Sequence, residues 1–174
     1  MIPKPSRNVV IAAVAALVVA AIAIGLTVFA AVRHNRDAVD RPQLSVAGPS
    51  GLRYVSPYLY CDDVGQGRCD PKGSPAKIPL EPGQTIWVSM PSYISERPWD
   101  VSVQYLFPGG ASTVENTTHL EPGQSMLTLM SKPDALVAQI EVHVPSVVQD
   151  SFGNLLTQAA WSIDTLPAHL APKR

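Results

Sequence analysis

Cys61 and Cys69 are the only two cysteines of the chain, and they bracket the polar loop DDVGQGR. Thiols at this spacing can close a disulfide, stay free, or supply half of a four-ligand metal site. A metal would need two further ligands at matching spacing, and the sequence shows none. If the domain lies outside a membrane, the disulfide is the expectation. Closing so short a loop is worth about 2–3 kcal/mol in the chain-entropy model. Asp62, Asp63 and Asp70 flank the same loop among glycines. Three carboxylates there suggest calcium, yet the alternating oxygen ligands of a dedicated loop are missing, and a solvated acidic turn accounts for them.

The four histidines are scattered: His34 in a charged link, His119 beside a turn, His143 on the wet face of a strand, His169 near the C-terminus. There is no His-Glu-x-x-His helix and no Gly-x-Ser-x-Gly elbow. A triad or a carboxylate pair assembles in space and not in sequence order, but no residue pattern argues for either. The expectation is a non-enzymatic protein with no cofactor and no bound metal. Asn116-Thr117-Thr118 matches a glycosylation acceptor, a triplet frequent by chance. Trp87, Trp99 and Trp161 all fall in strand-like runs, where core packing is the ordinary role. Trp87 differs, being out of phase with Ile86, Val88 and Met90, so it is the candidate exposed anchor for a partner.

These residues need elements to position them, and the first is not a strand. Val9–Val32 reads VVIAAVAALVVAAIAIGLTVFAAV, without a charge. At about 1.5 Å per residue it is long enough for the roughly 30 Å hydrocarbon core of a bilayer. It is longer than the usual secretory h-region, which makes it a signal anchor, with a cleaved signal ending before Ala31 as the alternative. The implied organisation is a basic stub over 1–8, a transmembrane helix over 9–32, a charged linker over 33–42, a β-domain over 43–165 and a tail over 166–174. Lys4 and Arg7 on one side nearly balance Arg33, Arg36 and Arg41 on the other, so charge does not set the topology. Long domains translocate regardless of charge, and the closely spaced cysteines suit an oxidising space, so the C-terminal domain is expected on the extracytoplasmic side of the cell membrane.

Within the run, Ala12, Ala16, Ala20, Ala23, Thr27 and Ala30 recur at three- and four-residue spacing. On a helix they form one face of small residues, of the kind that lets transmembrane helices approach closely. Four of the 13 Lys and Arg precede Asp37, leaving nine bases against all 14 acids in the remainder. A domain with a net charge of about −5 does not suit nucleic acid, which wants a basic stripe.

From Gln43 the texture becomes short alternating runs broken by Pro and Gly. Strands are expected at Gln43–Ala47, Leu52–Cys61, Thr85–Met90, Trp99–Phe107, Ser112–Asn116, Met126–Met130, Leu136–Val144 and Leu155–Asp164. In the clearest, Leu136, Ala138, Ile140, Val142 and Val144 face a core, and Val137, Gln139, Glu141 and His143 face water. The motif Leu-Glu-Pro-Gly-Gln occurs at 80–84 and again at 120–124. Each copy suits a type II turn, and each is followed by a strand, a Pro-containing turn and another strand. That echo suggests a duplicated turn-plus-hairpin in the two halves of a sandwich. The expected fold is mainly β: an immunoglobulin-like antiparallel β-sandwich of about seven to eight strands, with one N-terminal transmembrane helix.

Pro57–Cys61 (PYLYC), the nearby Cys69, the LEPGQ-type turn and the stretch ERPWDVSVQY resemble an actinobacterial family of small exported or membrane-anchored proteins, a domain-of-unknown-function family. The resemblance spans most of the chain and implies an envelope location in a Gram-positive, mycolate-bearing host. It carries over no catalytic residues, and it offers the respiratory supercomplex as a candidate partner. The expected role is an accessory or interaction subunit, bound to the lipid bilayer and to other membrane-protein subunits. The alternative is a binding module for a lipid, glycan or cell-wall ligand.

Overall fold

The computed structural model of the chain describes residues 20–25, 27, 41–167, 169 and 170. From Arg41 the chain folds into two sheets built from 11 strands. The first sheet has the order β2 (Gly51–Val55), β1 (Leu44–Gly48), β6 (Thr85–Ser89), β9 (Met126–Met130). The second runs β4 (Arg68–Cys69), β3 (Leu59–Asp63), β11 (Leu155–Asp164), β10 (Leu136–Gln149), β7 (Trp99–Leu106), β8 (Ser112–His119). Its neighbours are antiparallel, except that β5 (Ala76–Lys77) lies parallel to the end of β11.

Eleven strands replace the expected seven or eight for two local reasons. Leu52–Cys61 is not one strand. It breaks at Ser56–Pro57, where Pro57 has no N–H to give a ladder, and its halves β2 and β3 belong to different sheets. The stretch between Cys61 and Thr85, for which no strand is expected, also contributes the two-residue strands β4 and β5. A single-turn helix, α1 (Ser92–Ser95), stands between β6 and β7 where no helix was expected.

One cluster fills the space between the sheets. Leu44, Val46, Ile86 and Val88 come from the first sheet; Trp99, Ile140, Val142 and Trp161 come from the second, all with 2% exposure or less. Their spacing of two along each strand is what places them on one face. β10 departs from that rule near its start. Val137 pairs with Tyr105 and Gln139 with Gln104, so Ala138 is an extra residue in the ladder. This bulge turns Val137 inward, and it is fully buried, against the expectation that it faces water.

The two LEPGQ copies explain the centre of the fold. Gly83 and Gly123 both take positive φ, +86° and +112°, as the second central residue of a type II turn requires. The first copy closes with the Gln84 N–H donating to the Glu81 carbonyl at 3.1 Å. The strands that follow, β6 and β9, pair with each other, and the next ones, β7 and β10, pair in the opposite sheet. Each unit is therefore an arch that crosses between sheets, not the hairpin expected from sequence.

The apolar run lies largely outside the described residues, including Ala12, Ala16 and Ala30. Ala20, Ala23 and Thr27 are helical and exposed, and the Thr27 hydroxyl donates to the Ile24 carbonyl at 2.9 Å. Among the described residues no helix is long and apolar enough to cross a membrane.

Candidate functional site: an uncharged sheet face around Trp87

The first sheet has a second, outward face, and cross-strand register assembles it. Leu52, Ala47, Trp87 and Thr128 form one row; Tyr54, Ser45, Ser89 and Met126 form the next; Thr85 and Met130 form a third. Large apolar side chains stand in all three rows: Leu52 60% exposed, Tyr54 67%, Trp87 44%, Met126 52% and Met130 54%. The residues between them are small and hydroxylated or methylated, so nothing shades the large ones. No position of this face is charged.

Trp87 is thus where its phase placed it, between the fully buried Ile86 and Val88 and pointing the other way. Its neighbours on the face were not singled out from sequence, although one signal was present. Met126–Met130 (MLTLM) is apolar at both parities except Thr128. Leu127 and Leu129 pack on the core, so Met126 and Met130 must point outward. Methionine adapts its shape to a partner, and a contiguous apolar surface is the usual mark of a docking site.

The outer face of the second sheet is chemically different. There the Ser102 hydroxyl donates to Asn116 Oδ1 at 2.6 Å, and Gln139 Nε2 donates to Glu141 and to Ser162 at 2.7 and 3.0 Å. His143 Nε2 lies 3.4 Å from Glu141 Oε2. This places a hydroxyl, a carboxylate and an imidazole together, but with Glu141 between Ser162 and His143. Activating a serine requires the imidazole against the hydroxyl, which this order does not provide.

Cys61 and Cys69 form a disulfide across β3 and β4, with Cα atoms 3.8 Å apart. The three carboxylates around them are ion-paired. Arg41 reaches Asp62 at 2.7 Å and Asp70 at 3.1 Å, Arg68 reaches Asp63 at 3.0 Å, and the Arg41 guanidinium also lies 4.3 Å over the Tyr60 ring. Among the described residues no cluster of His, Cys, Asp and Glu is placed to hold a metal ion. His119 stacks on Trp99 and His169 lies 4.0 Å from Glu81, while His34 lies outside the described residues. The hydrogen bond from Arg41 holds the Asp62 carboxyl below the usual carboxylate range. A lowered carboxylate stabilises the fold above its unfolded pKa, and that contribution is lost as pH falls through the lower folded value. Arg41→Ala is therefore expected to return the Asp62 titration, followed by carboxyl-carbon NMR, upward towards the ordinary range.

A groove of about 840 Å³ opens at one end of the domain between Asp62–Gly65, Glu96–Pro98 and Pro145–Val148. No solved structure matches the chain. Two similar proteins, Uncharacterized protein Rv0875c of Mycobacterium tuberculosis and Uncharacterized protein Mb0899c of Mycobacterium bovis, are each 25% identical over 129 residues, covering 71% of this chain and 77% of the relative. A family model matches residues 37–166, taking in every strand from β1 to β11, and the chain therefore belongs to the family described as "Protein of unknown function (DUF2771)".

Proposed function

We propose that this is a non-enzymatic accessory subunit: a single-pass membrane protein whose extracytoplasmic domain docks on another membrane-protein subunit through the outer face of the first sheet. The observation that carries this is the uncharged face around Trp87, with five large apolar side chains exposed on it. The run over 9–32, by length and composition, suits an anchor that keeps the domain in the plane of a membrane. A partner confined to that plane and presenting an uncharged apolar patch is the occupant this face fits. The respiratory supercomplex, suggested by the family resemblance, is one candidate. The disulfide supports an oxidising compartment for the domain.

An immunoglobulin-like scaffold supports the same reading. The order β11-β10-β7-β8 corresponds to strands G, F, C and C′ of a variable-type domain, and β1-β6-β9 to A, B and E. The buried Trp99 lies on the C strand, as in antibody domains. β2 to β5 then lie between the first strand and the B strand, and among the described residues no strand D stands between β8 and β9. The cysteines of the B and F strands are replaced by Ile86, Val88, Ile140 and Val142, all fully buried.

Affinity purification of the full chain from gently solubilised membranes tests the proposal. The expected result is co-purification of a discrete membrane-protein partner, reduced by Trp87→Asp while the yield of folded chain is unchanged. Truncating an aromatic hot spot typically costs 2 kcal/mol or more, or roughly 30-fold in affinity. Migration as a lone monomer, or as a dimer of this chain alone, would sink the accessory-subunit reading. A second reading, a binding module for a lipid or cell-wall ligand, is favoured by the groove, whose 840 Å³ is within the range of small-molecule sites.

A further inference from the structure

We infer that the tip of the β10–β11 hairpin is a second membrane contact, seated in the headgroup–acyl boundary of the bilayer that holds the chain's own anchor. This rests on the anchored reading above. β10 continues past the sheet that supports it: its pairing with β7 ends at His143 opposite Asp100, whereas the strand runs on to Gln149. The projecting tip carries Val147 at 96% exposure, Phe152 at 88%, Leu155 at 51% and Leu156 at 36%. Val147 and Phe152 are the most exposed large apolar side chains among the described residues. Four on one tip are not a scatter.

The tip is also pre-formed. Asp150 Oδ1 accepts from the Phe152 and Asn154 N–H groups at 2.8 and 2.9 Å, and Oδ2 accepts from Asn154 Nδ2 at 3.1 Å. The backbone closes with the Asp150 N–H donating to the Asn154 carbonyl at 2.9 Å. Phe152 is therefore presented on a fixed turn, so little ordering accompanies its transfer out of water.

What identifies the occupant is where the chain enters the domain. Ser45 at the start of β1 lies opposite Ser89 at the end of β6, and the chain then passes through α1 to the start of β7. The same end of β7 is where β10 leaves the sheet. Arg41, clamped to Asp62 and Asp70, and the Pro42 carbonyl, accepting from Trp161 Nε1 at 3.0 Å, fix the incoming chain at that end. Residues 33–40 alone separate it from the apolar run. At no more than about 3.3–3.6 Å per residue they reach roughly 30 Å. The end of the domain that bears the tip is thus the end at which the chain arrives from the apolar run. Around the tip Glu96, Asp62, Asp63, Asp70 and Asp150 outnumber Arg41, Arg68 and Arg97, so apolar burial, not attraction to anionic lipid, would hold it.

The test uses the full chain reconstituted in phosphatidylcholine vesicles, with Phe152→Cys labelled by an environment-sensitive dye and the Cys61–Cys69 pair left oxidised. A label at Ala111→Cys, in the exposed turn at the opposite end of β7, is the comparison. The expected result is blue-shifted emission at 152, quenched by lipids spin-labelled near the headgroup, and neither effect at 111. To exclude insertion driven by the dye, a label at Val147→Cys should show the same quenching and lose it when Phe152→Asp is added. Failure of the chain to float with the vesicles overturns the anchored reading and this contact together. Flotation with an unquenched label at 152 overturns the hairpin contact alone.

Discussion

Trp99→Ala is expected to lower the unfolding free energy by about 3–5 kcal/mol, the usual cost of emptying a large aromatic site. Trp99 is fully buried at the start of β7, where both sheets and α1 converge, and its ring stacks on His119 with centroids 4.1 Å apart. A domain with about 5–15 kcal/mol in total would lose much of its margin. Urea unfolding of the full chain in mild detergent, followed by near-ultraviolet dichroism, measures it. A loss under 1 kcal/mol would show that the site collapses or that the ring is not in the core. The two buried tryptophans differ in a way that sharpens the result. Trp161 Nε1 donates to Pro42, while Trp99 Nε1 has no partner. Trp→Phe removes similar volume at either site, about 1 kcal/mol. At 161 it also breaks a hydrogen bond worth about 0.5–1.5 kcal/mol, while at 99 it relieves an unsatisfied donor. Trp99→Phe should therefore be the milder of the two.

Much of this core was legible because its strands obey a period of two. Met126–Met130 and Leu155–Asp164 fall where alternation and flanking turns place them, and Trp87 faces outward for the same reason. The departures have local physical causes. Val137 is inside because of one extra residue in β10, and a bulge has no composition signature of its own. Leu52–Cys61 reads as continuous until Pro57, and sequence does not say that the chain changes sheets there. The alternation from Leu136 carries the expected strand only to Val144. The strand instead passes Pro145 with a shift in register and continues to the exposed tip. The candidate site was least legible. Its rows are made by pairing among β2, β1, β6 and β9, and pairing partners separated by dozens of residues are not written in any one segment.

These departures also connect the two proposed contacts. The arches β6–β7 and β9–β10 form the centre; the Trp87 face lies on the outside of one sheet, and the projecting hairpin continues the other. An arch fixes the two strands it joins, so the tip and the face are held by the same paired units. The tip extends along the strand direction, whereas the Trp87 face stands perpendicular to it.

Breaking the disulfide should loosen this arrangement at the end where the chain enters, before it unfolds the core. The pair Cys61–Cys69 closes the β3–β4 hairpin, whose link to the rest of the sheet is short: Leu59 and Tyr60 opposite Ala160 and Ala159. In the chain-entropy model the cross-link is worth about 2–3 kcal/mol. Cys61→Ser additionally puts a hydroxyl where a 2%-exposed sulfur now sits, at the cost of an unpaired polar group. Cys69→Ser, at an exposed position, lacks that second penalty, so it isolates the cross-link. Asp62 and Asp70 both lie on the hairpin, so its opening also releases Arg41. Hydrogen exchange reports the order of events. The Asp70 and Gly73 amides, which donate to Tyr60 and Tyr58 at 2.7 Å each, should lose protection in Cys69→Ser, while amides of β6 and β10 keep theirs. Uniform loss across both sets would mean that the hairpin and the core unfold as one unit, and that the disulfide supports the whole domain and not only the end where the chain enters.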